Sequence, residues 1–204
     1  MPNNRITVII GRKGCGKTYL AKHLCKDKKR LAVFDPGGNF SACGLVIYNP
    51  YDLAVYTKQQ KDKNFRIIYQ PEGVNIGSKK DIIEESFDFF LRNVANLLYI
   101  CVVVDEIHLV ASQKSNNFLL RNFSNMGRKP EISMIVTSIR YTDVIVPMRA
   151  NADEFVSFQA EEPADVDYLR KKWGPIADEL ESLPPYHFIR KRSDQLKATK
   201  ERPV

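Results

Sequence analysis

Residues 8–20 read VIIGRKGCGKTYL, an apolar run that breaks into three glycines and then a Lys-Thr pair. A strand that needed only to turn would end in one or two glycines. Gly11, four residues, then Gly16-Lys17-Thr18 is the G-x-x-x-x-G-K-[ST] spacing. In such a loop the backbone N–H groups converge on phosphate oxygens, and the helix it opens presents its positive end to them. Side chains at the glycine positions would block that approach. The flanks fit: Ile6 to Ile10 is β-branched and apolar before the loop, and Tyr19, Leu20, His23 and Leu24 recur at helical spacing after it. The residues assigned to the nucleotide are therefore Gly11, Arg12, Lys13, Gly14, Cys15, Gly16, Lys17, Thr18 and Tyr19.

The loop needs a partner, and YICVVVDEIHLV (residues 99–110) supplies one. Tyr99 to Val104 is a continuous apolar run of strand length, as in a parallel strand covered on both faces. Asp105 and Glu106 end it, and in an open α/β sheet ligands lie at the carboxyl ends of the strands. Thr18 and Asp105 suit a magnesium ion, which takes few protein ligands. Lys17 suits the β- and γ-phosphates of ATP, and Glu106 suits the attacking water. A second carboxylate favours water over a small-molecule acceptor, so hydrolysis is preferred to a kinase reaction.

Other polar groups are ranked below these. Thr137 and Ser138 end the next strand, where a hydroxyl senses the γ-phosphate or merely closes the strand. Arg128 and Arg140 are arginine-finger candidates, with surface salt bridges as the alternative. Asp35 either joins the site's polar network or caps the turn made by Pro36, Gly37 and Gly38. Cys15 is read as a passive loop residue, although Lys17 and the helix end could lower its pKa.

The remaining chain alternates strand and helix patterns, which implies an α/β fold with a mostly parallel sheet. RLAVFD, GLVIYNP, FRIIYQP, Ile132 to Ser138 and Phe155 to Phe158 read as strands. Ser78 to Leu98 reads as a helix with Ser78 and Asp81 as a capping box, Asn117 to Met126 as another, and Pro163 to Trp173 as a third, closed by Gly174. The polar stretch TKQQKDKN reads as a solvated loop or helix end. The expected organisation is one domain over residues 1–190 and a basic, flexible tail over 191–204.

Composition sets outer limits. The 204 residues are 44% hydrophobic and 27% charged, ordinary for one globular domain, and no apolar run reaches membrane-spanning length. The first residues run straight into a strand with no separate apolar leader, so no signal peptide is expected. Four cysteines without C-x-x-C spacing and three scattered histidines indicate neither a zinc site nor a disulfide framework. The net charge of +7 favours polyanionic partners, with basic clusters at Lys26 to Arg30, Gly127 to Lys129, Arg170 to Lys172 and from Arg190 onward.

Four further stretches carry a resemblance. VFDPGGNF (33–40), GRKPEISMIVTSIRYTDV (127–144), ANADEFVSFQAEEPADVDYLRKKWG (150–174) and ESLPPYHFIRKR (181–192) resemble segments of the FtsK/HerA superfamily of DNA-pumping ATPases. Within it the chain is most similar to the genome-packaging ATPases of double jelly-roll, internal-membrane viruses of the turreted icosahedral archaeal type. The resemblance implies a RecA/ASCE-like P-loop three-layer sandwich, ATP and Mg2+ as cofactors, and a homo-oligomeric ring, pentamer or hexamer. It implies double-stranded DNA as a partner without sequence preference, a capsid vertex or membrane-associated protein as a dock, and the host cytoplasm or the virion as the setting. It makes Asp105 the magnesium carboxylate, Glu106 the base and Arg128 the finger, with Lys79, Lys80 and Lys114 guessed for the DNA channel. Where many relatives place a glutamine before the arginine of the polar strand end, this chain has Ile139. Alternatives are a P-loop assembly or secretion factor, a conjugative coupling ATPase, or, more remotely, a small-molecule kinase.

Overall fold

The computed structural model describes residues 5–95, 97–111 and 132–202. Among them nine strands form one sheet in the order β3-β4-β2-β5-β6-β1-β7-β8-β9. The strands are β1 (Ile6–Ile10), β2 (Arg30–Phe34), β3 (Leu45–Ile47), β4 (Phe65–Tyr69), β5 (Ile100–Val104), β6 (Ile132–Ser138), β7 (Glu154–Ser157), β8 (Phe188–Arg192) and β9 (Thr199–Glu201). The first seven pair in parallel, and β8 and β9 add to the β7 edge antiparallel. Both outermost strands, β3 and β9, are three residues long.

The helices are α1 (Lys17–Cys25), α2 (Pro50–Gln59), α3 (Lys80–Val94), α4 (Val146–Asn151) and α5 (Pro163–Trp173). Alternation along the buried strands sorts side chains to two faces. Ile9, Leu31, Val33, Val103 and Ile135 pack with Leu20, Ala21 and Cys25 of α1. Val8, Ile10, Ala32, Phe34, Val102, Val104 and Val136 pack with Ile83, Phe87, Phe90 and Leu91 of α3, Leu53 of α2 and Leu169 of α5. Phe34 meets Phe87 edge-on at 5.1 Å and Phe90 tilted at 5.7 Å between centroids, and Phe87 stacks on Phe90 at 6.4 Å. Each such fully buried ring contributes about 2 to 3 kcal/mol. The result is the three-layer α/β sandwich with a mostly parallel sheet read from the sequence.

Two local expectations differ, and one resolves between its alternatives. Ser78 does not cap α3: its hydroxyl accepts from the Asn75 N–H at 2.9 Å, closing the preceding turn, and the helix starts at Lys80 without a side-chain cap. The stretch TKQQKDKN before Phe65, read as a solvated loop or helix end, holds the end of α2 at Gln59; Asn49 caps the start of that helix by accepting from the Tyr51 N–H at 2.7 Å with Pro50 in the first turn. Residues beyond 190 are not a loose extension up to Arg202: β8 runs to Arg192, and β9 pairs with it in the register Phe188 to Glu201. Arg190 and Arg192 there meet the buried Glu154 carboxylate, each at 3.2 Å, so charges read as tail complete a network.

Candidate functional site

The apolar strand β1 delivers the chain to Gly11, whose φ of 145° and close surroundings require glycine. A Cβ there would lie 2.7 Å from the Phe158 Cβ and 2.9 Å from the Cys15 Sγ. Gly14 and Gly16 also have positive φ, at 78° and 114°. Gly16 is the N-cap of α1 and offers no capping side chain, which leaves the helix's first turn open to an anion.

Lys17 is 5% exposed, and its Nζ donates to the carbonyls of Gly11 at 2.9 Å and Arg12 at 3.1 Å. Among the described residues no carboxylate pairs with it. A buried ammonium held only by two carbonyls is poorly compensated and attracts an anion strongly. Arg12 pairs with Glu161 at 2.7 Å, Lys13 is exposed, and Tyr19 is exposed beside the loop. Burial pushes the Cys15 thiol up and outweighs the lowering by Lys17, so this cysteine is no activated thiolate.

Strand β6 lies between β1 and β5, so the acidic pair and the loop face each other across the end of β6. Asp105 is 2% exposed, and its Oδ1 accepts from Thr137 Oγ1 at 2.7 Å while its Oδ2 accepts from Asn39 Nδ2 at 3.0 Å. Thr18 Oγ1 lies 3.5 Å from Asp105 Oδ1. This hydroxyl and carboxylate are hard oxygen donors at one point of the site, a set that fits Mg2+.

Asp35, fully buried, ties the next layer together. It accepts from the N–H groups of Asn39 and Phe40 at 2.9 and 2.7 Å and from Gln70 Nε2 at 2.9 Å. Both roles read for Asp35 coexist, since it caps the turn that presents Asn39 to Asp105. Burial pushes its carboxyl up against those three donors. Asn39 and Gln70 were not singled out from the sequence, and only their contacts across the fold mark them.

Glu106 has left-handed backbone, φ 56° and ψ 57°, which costs a non-glycine residue about 1 kcal/mol or more. Its N–H donates to Thr137 Oγ1 at 2.8 Å. Its Oε2 lies 3.2 Å from His108 Nδ1 without the alignment of a hydrogen bond. Strained backbone held in place by neighbours is a mark of functional positions.

The Thr137 hydroxyl is thus occupied twice, by the Asp105 carboxylate and the Glu106 N–H. Ser138 is different: its hydroxyl is buried and has no hydrogen-bond partner among the described residues, while its carbonyl accepts from the Gly11 N–H at 3.3 Å. Arg140 is engaged within its own chain, 3.3 Å from Glu162 Oε2 and 3.7 Å from Asp165 Oδ2. Arg128 and Lys114 lie outside the described residues. Lys79 and Lys80 are exposed at the start of α3, with Lys80 3.6 Å from Glu84.

Replacing Thr137 with valine keeps the shape and removes both hydrogen bonds. The expected result is a loss of about 1 to 3 kcal/mol in stability, read by denaturant unfolding, and reduced ATP turnover as Asp105 and Glu106 lose their common anchor.

A family description, the ATPase family associated with various cellular activities (AAA), matches residues 7–160, from β1 through the whole of this site. The chain belongs to the AAA family. No curated protein sequence matches this AAA ATPase. Among solved structures it is similar to the genome packaging NTPase B204 of Sulfolobus turreted icosahedral virus 2 in complex with ATP-gammaS, at 19% identity and a TM-score of 0.75, over 100% of both chains. It is similar to B204, the DNA-packaging ATPase of Sulfolobus Turreted Icosahedral Virus, at 18% identity and 0.73, again over 100% of both. The type VII secretion ATPase EccC of Thermomonospora curvata matches at 16% identity and 0.58, over 98% of this chain but 25% of its own. At these identities the likeness establishes the fold, and it matches the resemblance read from the sequence. No helix among the described residues is long and apolar enough to cross a membrane.

Proposed function

We propose that this AAA ATPase is one subunit of a homo-oligomeric ring, a pentamer or hexamer, that hydrolyses ATP with Mg2+ to pump double-stranded DNA into a viral capsid. Lys17 neutralises the β- and γ-phosphates, exchanging its two carbonyl partners for phosphate oxygens. Thr18 and Asp105 would hold the magnesium ion, which would offset the negative charge of the triphosphate. Glu106 orients and deprotonates the attacking water. The unpartnered Ser138 hydroxyl is the better γ-phosphate sensor of the two, because Thr137 already anchors the acidic pair. Arg128 is the candidate finger acting on a neighbouring subunit, since Arg140 would first have to leave two carboxylates.

The observation that carries this reading is the conjunction of that site with an end-to-end likeness to a genome packaging NTPase. The likeness to the secretion ATPase is weaker, at a TM-score of 0.58 against 0.75, which favours packaging over secretion. A capsid vertex or membrane-associated protein would be the dock, and the infected cell's cytoplasm or the virion the setting.

The test is the ATPase rate of the full chain with and without linear duplex DNA at low and moderate salt. Several-fold stimulation that fades as salt rises is expected, because non-specific duplex binding is dominated by phosphate contacts. A rate indifferent to DNA at every salt overturns the motor.

A further inference from the structure

At the opposite end of the sheet from Lys17, two basic runs distant in sequence meet. β2, β4, β5 and β6 are parallel neighbours, so Arg30, Phe65, Ile100 and Ile132, their first residues, lie together at the sheet's amino end. Lys28 and Lys29 precede β2, and Lys61 and Lys63 precede β4. All four lysines are exposed, opposed only by Asp27 and Asp62 within those two runs.

Arg30 fastens the runs to each other. Its guanidinium donates to the carbonyls of Leu98 at 3.0 Å, Lys61 at 2.7 Å and Gln60 at 3.4 Å, and also to that of Lys63. It stacks on Phe65 at 4.8 Å from the ring centroid. A freely solvated lysine face needs no such keystone. Around it lie two adjoining concavities that share Arg30, Asn64 and Tyr99. Their walls include exposed apolar surface, with Leu98 50% and Tyr99 61% exposed, and Tyr99 is held at a φ of 57°.

The geometry points to this groove as a docking surface for the sugar-phosphate backbone of duplex DNA, an inference that rests on the DNA-pumping reading and adds where the duplex is held. Lysine ammonium groups meet phosphates as point charges and read no base sequence. Leu98 and Tyr99 meet the apolar faces of deoxyribose. A concave, cation-lined trough receives a ridge such as a nucleic-acid strand. A bilayer surface is flat, whereas this trough is concave and sets its apolar side chains, Leu98 and Tyr99, in its walls among lysines. The duplex then lies a sheet's depth, about 16 Å for a five-residue strand, from the nucleotide end.

The test compares the wild-type chain with a variant carrying Lys28→Gln, Lys29→Gln, Lys61→Gln and Lys63→Gln in binding to two unrelated linear duplexes across a salt series. Four lost phosphate contacts should make the slope of log affinity against log salt shallower by about 3 to 4. The ATPase rate without DNA should be unchanged, and a normal thermal transition establishes folding. Tyr99→Gly, which suits the left-handed backbone, should weaken binding several-fold while leaving the slope intact. A wild-type chain that binds DNA with the same slope as the quadruple variant overturns the groove but leaves the motor standing. A wild-type chain that binds no duplex at any salt overturns the motor itself. Loss of binding to vesicles of anionic phospholipid, with DNA binding intact, also overturns the assignment and gives the groove to a membrane.

Discussion

Replacing Lys17 with alanine is expected to lower ATP turnover by about 100- to 1,000-fold, the usual effect of removing one pre-placed charge from a transition state. The structure gives the reason: the ammonium is 5% exposed and held beside the loop by the Gly11 and Arg12 carbonyls, so it has only to exchange those two partners for phosphate oxygens when a triphosphate arrives. Nucleotide affinity should fall as well, because the cation meets phosphate in the ground state too. Thermal stability without nucleotide should hold or rise slightly, since a poorly compensated buried charge is removed. Steady-state hydrolysis, nucleotide titration and a melting curve separate these effects. Turnover that survives the substitution removes the triphosphate from this loop.

Glu106→Gln should give a different signature. The amide keeps the size and the left-handed backbone of the original residue but cannot take a proton. Turnover should drop by about 100- to 10,000-fold while ATP still binds with near wild-type affinity, because in the proposed reaction the carboxylate acts on water and not on phosphate. The variant should therefore accumulate in the ATP-bound state, which equilibrium binding of a labelled nucleotide would show. A variant that hydrolyses at the normal rate removes Glu106 from the reaction, and one that fails to bind ATP gives it a structural role.

Much of this was legible in the sequence because the signals are local. The glycine spacing from Gly11 to Gly16 encodes a backbone path, and the apolar run before Asp105 encodes a buried strand, so the two could be read without knowing the fold. What escaped reading depends on neighbours far along the chain. Nothing near Thr137 announces that it holds Asp105, 32 residues away. Asn39 and Gln70 look like ordinary turn and strand-end residues until Asp35 joins them. The salt-bridge alternative read for Arg140 had no partner in sequence, and only the fold brings Glu162 and Asp165 to it. The capping role expected of Ser78 failed for the same reason in miniature, since its hydroxyl found an N–H in the preceding turn. The lysine-rich, polar C-terminal residues carried no strand signal at all, and β9 forms because β8 offers it a ladder.

The two short margins of the sheet bear on how copies of this chain can meet. A long bare edge invites another chain to join by backbone hydrogen bonding. Here one border ends in the three residues of β3 and the other in the charged Thr199-Lys200-Glu201 strand. Growth of the sheet from molecule to molecule is discouraged on both sides. In the proposed ring, neighbours would then recognise each other through side chains on loops and helices, contacts that could loosen and re-form during each cycle without tearing a continuous ladder.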